Sequence, residues 1–187
     1  LFAAASDPAI GISCGWPPHR TLEDSAAALD SVLMKPEVYA ICIRASRTPD
    51  TPVGAISLRK EDTDVPIAAD EAELGYWIAR PYWNAGYMTE AVQALERHAF
   101  MDMGLSALWA ASYSENPASA AVQKKVHLAF HHHQEGSRDL MGKAHGLEVS
   151  RITRTEWERA IVADPTGKDY RGKQQAEASW GMAEMPF

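Results

Sequence analysis

Ala72 to Ala94, AELGYWIARPYWNAGYMTEAVQA, is the stretch whose residue types and spacing point most directly to chemistry. Leu74-Gly75-Tyr76-Trp77-Ile78 reads as a short apolar strand. Arg80-Pro81-Tyr82-Trp83-Asn84-Ala85-Gly86 reads as a loop, with a proline to end the strand and a glycine for close backbone approach. From Tyr87 a helix begins, because Met88, Ala91, Val92, Leu95 and Ala99 recur at helical spacing. A strand that runs through such a loop into a helix N-terminus presents several unpaired N–H groups at one spot, and these bind anions, phosphates above all. The loop is neither a dinucleotide fingerprint, which needs G-x-G-x-x-G, nor a P-loop, which needs G-K-[ST]. Taken alone, it is equally well an ordinary strand–helix connection.

Other reactive side chains are scattered. His131-His132-His133 invites a metal reading, but no Cys or acidic partner stands at ligand spacing, so no metal is expected. Cys14 and Cys42 form no C-x-x-C and read as free thiols in a reducing compartment. Trp16 and His19 lie in ISCGWPPHRT, residues 11–20, a stiff loop suited to a substrate-binding wall or to a tryptophan plug beneath it. A net charge of −7 argues against nucleic acid and mildly favours a cationic partner. No apolar run approaches the ~20 residues of a membrane span, and residues 1–15 carry no basic signal-peptide start, so a cytoplasmic protein is expected.

The elements that must position these groups follow from pattern. Leu1 to Ser6 reads as the end of a helix stopped by Asp7-Pro8. Thr21 caps a helix whose apolar face is Ala26, Leu29, Val32 and Leu33. Val38–Arg44 and Val53–Arg59 form a hairpin across the turn-rich Ser46 to Pro52. The 72–78 strand, the helix to about Met103 with Gly104 as its C-terminal cap, and the strand 107–113 make a parallel strand–helix–strand crossover. A short helix follows to about Val126. Phe130–Glu135 and Leu147–Thr153 then form a last hairpin connected by Gly136 to Gly146, and Thr155–Arg159 a short helix with Thr155 and Glu158 as its capping box. Residues 1–160 read as one domain. Residues 161–187 read as a polar C-terminal extension with Trp180 and Phe187 as its large apolar anchors.

ELGYWI, PYW, GY and TEA, in that order, resemble the acetyl-CoA-binding core of the GNAT acyltransferases, in particular the ribosomal-protein (Rim-type) branch. Glu115-Asn116-Pro117-Ala118-Ser119 matches that family's E-N-x-x-S. The resemblance covers about Leu1 to Glu158. It implies a mixed α/β (α+β) fold: a mostly antiparallel twisted sheet with one parallel strand pair, 72–78 and 107–113, splaying to admit acetyl-CoA. It also implies that the family's first strand is missing here. An unpaired sheet edge would remain, open to aggregation or to a second copy, so a homodimer is one expected form.

The resemblance further implies site residues. Tyr76, Trp77 and Ile78 line the acetyl-CoA cleft, and Trp83, Asn84, Ala85, Gly86, Tyr87, Met88 and Thr89 make the pyrophosphate loop. Met88 departs from the pattern, standing where Gly or Ala is usual, and would crowd the phosphates. Glu73 stands where some members keep a glutamate that acts through water as general base. Asn116 would bond the pantetheine or its neighbouring backbone, and Ser119 would sit near the sulfur. Both also suit helix capping. Many members use a tyrosine further along this helix as general acid, and none occurs between Tyr113 and Tyr170. The usual L-G-F ending is degraded: His127-Leu128 aligns with G-F without a gap, Leu128-Ala129-Phe130 with a two-residue insertion. The expected function is acetyl transfer to a primary amine, a protein N-terminus or a small amine, by direct attack in a ternary complex. The alternative is a non-catalytic acyl-CoA-binding module.

Overall fold

The structure, a computed structural model, describes residues 1–44 and 50–163. Among the described residues six strands form one sheet in the order β1-β2-β3-β4-β6-β5. They are β1 (Val38–Cys42), β2 (Pro52–Arg59), β3 (Glu71–Ile78), β4 (Ala107–Tyr113), β5 (Ala129–Arg138) and β6 (Ala144–Thr153). All neighbours are antiparallel except β3 and β4, which are parallel. The β1–β2 hairpin is as expected, while positions 45–49 of its turn lie outside the described residues. So does the extension beyond Ala163, with Trp180 and Phe187.

Helix α4 (Tyr87–Arg97) crosses from β3 to β4 and continues as a π-helical segment, His98–Asp102, before Gly104 turns the chain at positive φ. Its apolar stripe explains the packing. Met88, Val92, Leu95, Ala99 and Phe100 meet Ile56, Leu58, Leu74, Leu108 and Ala110 in the main core, where each large side chain contributes about 1.5–3 kcal/mol of burial. The other face carries a smaller cluster, Val65, Leu147 and Val149, with Trp109, Ala111 and Tyr113 against it.

Several expectations need correction. Residues 11–14 are not loop: α2 (Pro8–Cys14) starts immediately after the short α1 (Phe2–Ala5). Asp7 accepts the Ala9 amide and Pro8 occupies the first turn, so the pair that ends α1 also begins α2. In α3 (Leu22–Ala28) Thr21 does cap, in a capping box with Asp24. Its supposed apolar face is turned outward, however. Ser25 faces inward, bonded to His19 Nδ1 at 2.8 Å, and Ala26, Leu29 and Val32 are exposed.

The last hairpin is longer and its turn tighter than its pattern suggests. Two bulges let β5 run to Arg138, and Asp139 closes the turn by accepting the amides of Met141 and Lys143. Helix α6 (Arg154–Ala163) is boxed by Thr153 and Glu156, two residues before the expected pair. His127 holds φ +66° and Leu128 is buried. The ungapped alignment is therefore the one the backbone supports, with His127 in the glycine's place.

Candidate active site

The pairing of β3 with β4 lasts three rungs: Glu71 with Ala107, Ala72 with Leu108, Glu73 with Trp109. Beyond them β3 stays bonded to β2 and β4 to β6, so the two parallel strands part. Residues 74–78 and 110–113 have no ladder partner across the gap. Ser112 Oγ, on the parted length of β4, is buried and finds no hydrogen-bond partner among the described residues. A buried unmet hydroxyl costs free energy, and a polar ligand entering the gap would satisfy it.

At the far end of β3 the chain passes through a 3₁₀ turn, Arg80–Tyr82, to the N-terminus of α4. Trp83 donates its indole N–H to the Ile78 carbonyl at 2.8 Å, bracing the loop. Asn84 and Gly86 both hold positive φ, and among the described residues no side chain caps α4. A Cβ at Gly86 would meet nothing within 4 Å, so backbone conformation alone selects glycine there. Asn84, Ala85 and Gly86 are exposed and Tyr87 and Thr89 half-buried, leaving the first-turn amides facing open space. Met88 does not crowd them: its side chain is buried in the main core.

The strand face decides the remaining roles. Tyr76 shares the α4 face and reaches α5 (Pro117–Lys125), its hydroxyl bonded to Ser119 Oγ at 2.9 Å. Gln123 Nε2 donates to the same oxygen at 3.3 Å. Burial pushes the Tyr76 phenol up, against the pull of Ser119. A phenol thus does arrive at α5, from the sheet rather than from the helix. Asn116 is committed at both ends: Oδ1 caps the Ser119 amide and Nδ2 donates to the Ser13 carbonyl of α2.

Glu73 and Trp77 occupy the opposite face, as strand alternation requires. Trp77 meets Trp16 edge-on at 6.3 Å, and Trp16 lies 5.4 Å from His19. Glu73 is 1% exposed. Arg59 holds one of its oxygens at 2.6 Å, while the Asp64 amide at 2.7 Å and the Val65 amide at 3.4 Å hold the other. Burial raises its carboxyl to about 7, outweighing Arg59, whose charge is shared with Asp64.

The sequence reading missed the groups brought to the end of β4. Tyr113 stacks on His145 at 3.9 Å, and a Cβ at Gly15 would overlap its hydroxyl. Burial raises the Cys14 thiol, and the phenols of Tyr76 and Tyr113 are raised by burial first, with Cys14 adding to both. No local motif marks these residues, because their partners come from distant elements. The histidine run stays apart: His133 bridges Glu135 and Glu148, and the described residues contain no group of three or more His, Cys, Asp or Glu able to hold a metal.

A parted parallel strand pair with an uncapped helix N-terminus at its mouth agrees with comparison to known families. Residues 1–129 match the acetyltransferase (GNAT) domain. The chain belongs to the GNAT family. Members transfer an acetyl group from acetyl-CoA. Among solved structures, a GNAT-family acetyltransferase from Bacillus anthracis shares the fold at TM-score 0.70 and 20% identity, over 83% of this chain and 88% of that one. Spermidine N-acetyltransferase from Vibrio cholerae, solved with CoA and spermine, gives TM-score 0.65 and 11% identity over 84% and 89%. Mycobacterium smegmatis RimJ, solved with CoA-disulfide, gives 0.51 and 24% over 60% and 55%. No curated protein matches the chain.

Proposed function

We propose that this chain transfers the acetyl group of acetyl-CoA to a primary amine by direct attack within a ternary complex. The observation that carries the reading is the parting of β3 and β4 beyond Glu73 and Trp109, with the open N-terminus of α4 at its mouth. Loop residues 83–89 would hold the pyrophosphate through backbone N–H groups. The parted edge of β3 at Tyr76, Trp77 and Ile78, apart from the Ile78 carbonyl taken by Trp83, would hold the pantetheine, and Ser112 Oγ would supply one further polar contact. Ser119, held by Tyr76 and Gln123, would face the departing sulfur. Asn116 would serve by locking α5 to α2, and Glu73 by fixing the loop before β3 at the apex of the gap. Burial keeps Cys14 a thiol rather than a thiolate, which favours direct attack over an acyl-enzyme.

The Rim-type motif order favours a protein N-terminal α-amine as acceptor, with Trp16 and His19 on the wall that meets it. A small amine is the rival, and the fold shared with a spermidine acetyltransferase is compatible with it. The domain spans residues 1–160, with 161–187 as an extension. A cytoplasmic setting and a homodimer through the open edge of β1 complete the reading, with no role for nucleic acid or a membrane. Among the described residues no helix is long and apolar enough to cross one.

Thermal shift with acetyl-CoA, followed by thiol release with peptides and small amines, tests the proposal. No shift at millimolar acetyl-CoA would sink it. A shift without release across the panel would favour a non-catalytic CoA-binding module, and intersecting initial-velocity lines would support the ternary complex.

A further inference from the structure

Asp139, His145 and Glu115 form a line of acid–base groups running from the interior to the surface at the end of β4. The Asp139 carboxylate points inward from the β5–β6 turn, where Oδ1 accepts the amides of Met141 at 2.9 Å and Lys143 at 2.8 Å. Its Oδ2 lies 3.0 Å from His145 Nε2. On the other side of the ring, His145 Nδ1 lies 3.4 Å from Glu115 Oε1 and 3.5 Å from Oε2. The His145 and Asp139 side chains are 3% and 1% exposed, whereas that of Glu115 is 60% exposed. The imidazole lies flat on Tyr113, with ring planes 15° apart.

The shorter, buried contact favours one neutral tautomer. A buried Asp139 carboxylate draws the N–H of Nε2, which leaves the Nδ1 lone pair facing Glu115. The remaining charged or titratable groups nearby are Lys143, 3.9 Å from Glu115, and Asp64 and Cys14, both near Tyr113. The line opens where β4 has already left β3, under the α2 end held by the Leu140 amide to Gly15 carbonyl bond at 2.8 Å. Glu73, by contrast, has both oxygens engaged inside the protein.

We propose that Glu115 takes the proton of the acceptor ammonium and passes it to His145, with Asp139 orienting the ring. The proposal rests on the acetyltransferase reading. One ammonium N–H bond breaks and its electron pair stays on nitrogen, which attacks the thioester carbonyl. The proton bonds to a Glu115 oxygen and then to His145 Nδ1, forming an imidazolium between two carboxylates. As the C–S bond breaks, a second proton leaves nitrogen for the sulfur. His145 returns its proton to water through Glu115. Glu115 is the catalytic residue of the line; His145 and Asp139 are positioning residues. The Glu115 backbone N–H holds the Glu115 carboxyl below its usual range.

The test uses the full chain, acetyl-CoA, and an N-terminal peptide and a diamine as acceptor probes. Glu115→Gln and His145→Gln are expected to lower kcat at pH 7 by about 10–100-fold, with KM for acetyl-CoA within about twofold of wild type. Glu115→Asp should restore part of the rate, and His145→Gln should displace the acid limb of the kcat/KM profile. Wild-type kcat and pH profile in well-folded Glu115→Gln would overturn the relay while leaving the transferase reading intact. The ¹⁵N imidazole spectrum is independent of turnover. Protonation of His145 at Nε2 is expected, and a neutral ring protonated at Nδ1 would overturn the relay. A wild type that binds acetyl-CoA but acetylates neither probe, nor any amine of the wider panel, would overturn the transferase reading and the catalytic role with it.

Discussion

Glu73 and Trp109 are the last pair of residues at which β3 and β4 lie side by side. Glu73 is also the partner of Arg59 across the β2–β3 ladder. The residue at the apex of the gap is thus tied to its neighbour strand, and through the amides of Asp64 and Val65 to the loop before β3.

That arrangement has a pH signature. The Glu73 carboxyl titrates at about 7 when folded, against about 4.3 when unfolded. Between those values the folded state binds more protons, so stability falls as pH rises through the window and levels off above it. Wild type should lose on the order of 1–3 kcal/mol from pH 4.5 to 7.5 relative to Glu73→Gln, whose profile should lack this slope. Denaturant midpoints for both proteins across that range check it; parallel profiles would refute it.

Gly86→Ala isolates a backbone effect, since the new methyl meets nothing. The positive φ alone should cost about 1–2 kcal/mol. Because the same residue sets the direction of the first α4 amides, acetyl-CoA affinity should fall as well. Unfolding curves and calorimetric titration measure the two separately.

Tyr76→Phe removes the hydroxyl shared with Ser119 and leaves the ring. A stability loss of about 0.5–1.5 kcal/mol is expected. If this pair faces the departing sulfur, kcat should fall while the acetyl-CoA dissociation constant holds within about twofold. An unchanged kcat in thiol-release assays would remove the pair from the chemistry.

His127 adopts the left-handed conformation in an exposed turn. His127→Gly should therefore stabilise the protein or leave it unchanged, by up to about 1 kcal/mol, unlike most glycine substitutions. A lowered melting temperature would contradict the assigned backbone.

Much of the scaffold was legible because its signals are local. Alternation at 72–78, the proline-to-glycine loop and the 87–99 stripe specify a strand, an uncapped helix start and a buried helix face without reference to distant residues. Where sequence reading erred, a neighbour made the decision. The apolar residues of α3 face outward because Ser25 is held inward by His19. The last hairpin tightens because Asp139 supplies acceptors for two turn amides. Met88 looked like an obstruction until α4 turned its side chain into the core.

By itself the sequence determined the proline-to-glycine loop and the strand–helix–strand frame, since turn residues and hydrophobic periodicity belong to contiguous residues. Only the tertiary structure decided which side chains face the gap. Tyr76 finds Ser119, and His145 finds Asp139 and Glu115, because separate elements converge on the end of β4. Convergence of that kind leaves no period or spacing in the chain. It arises from the parting of two parallel strands and from the helix and turn that close over the space between them.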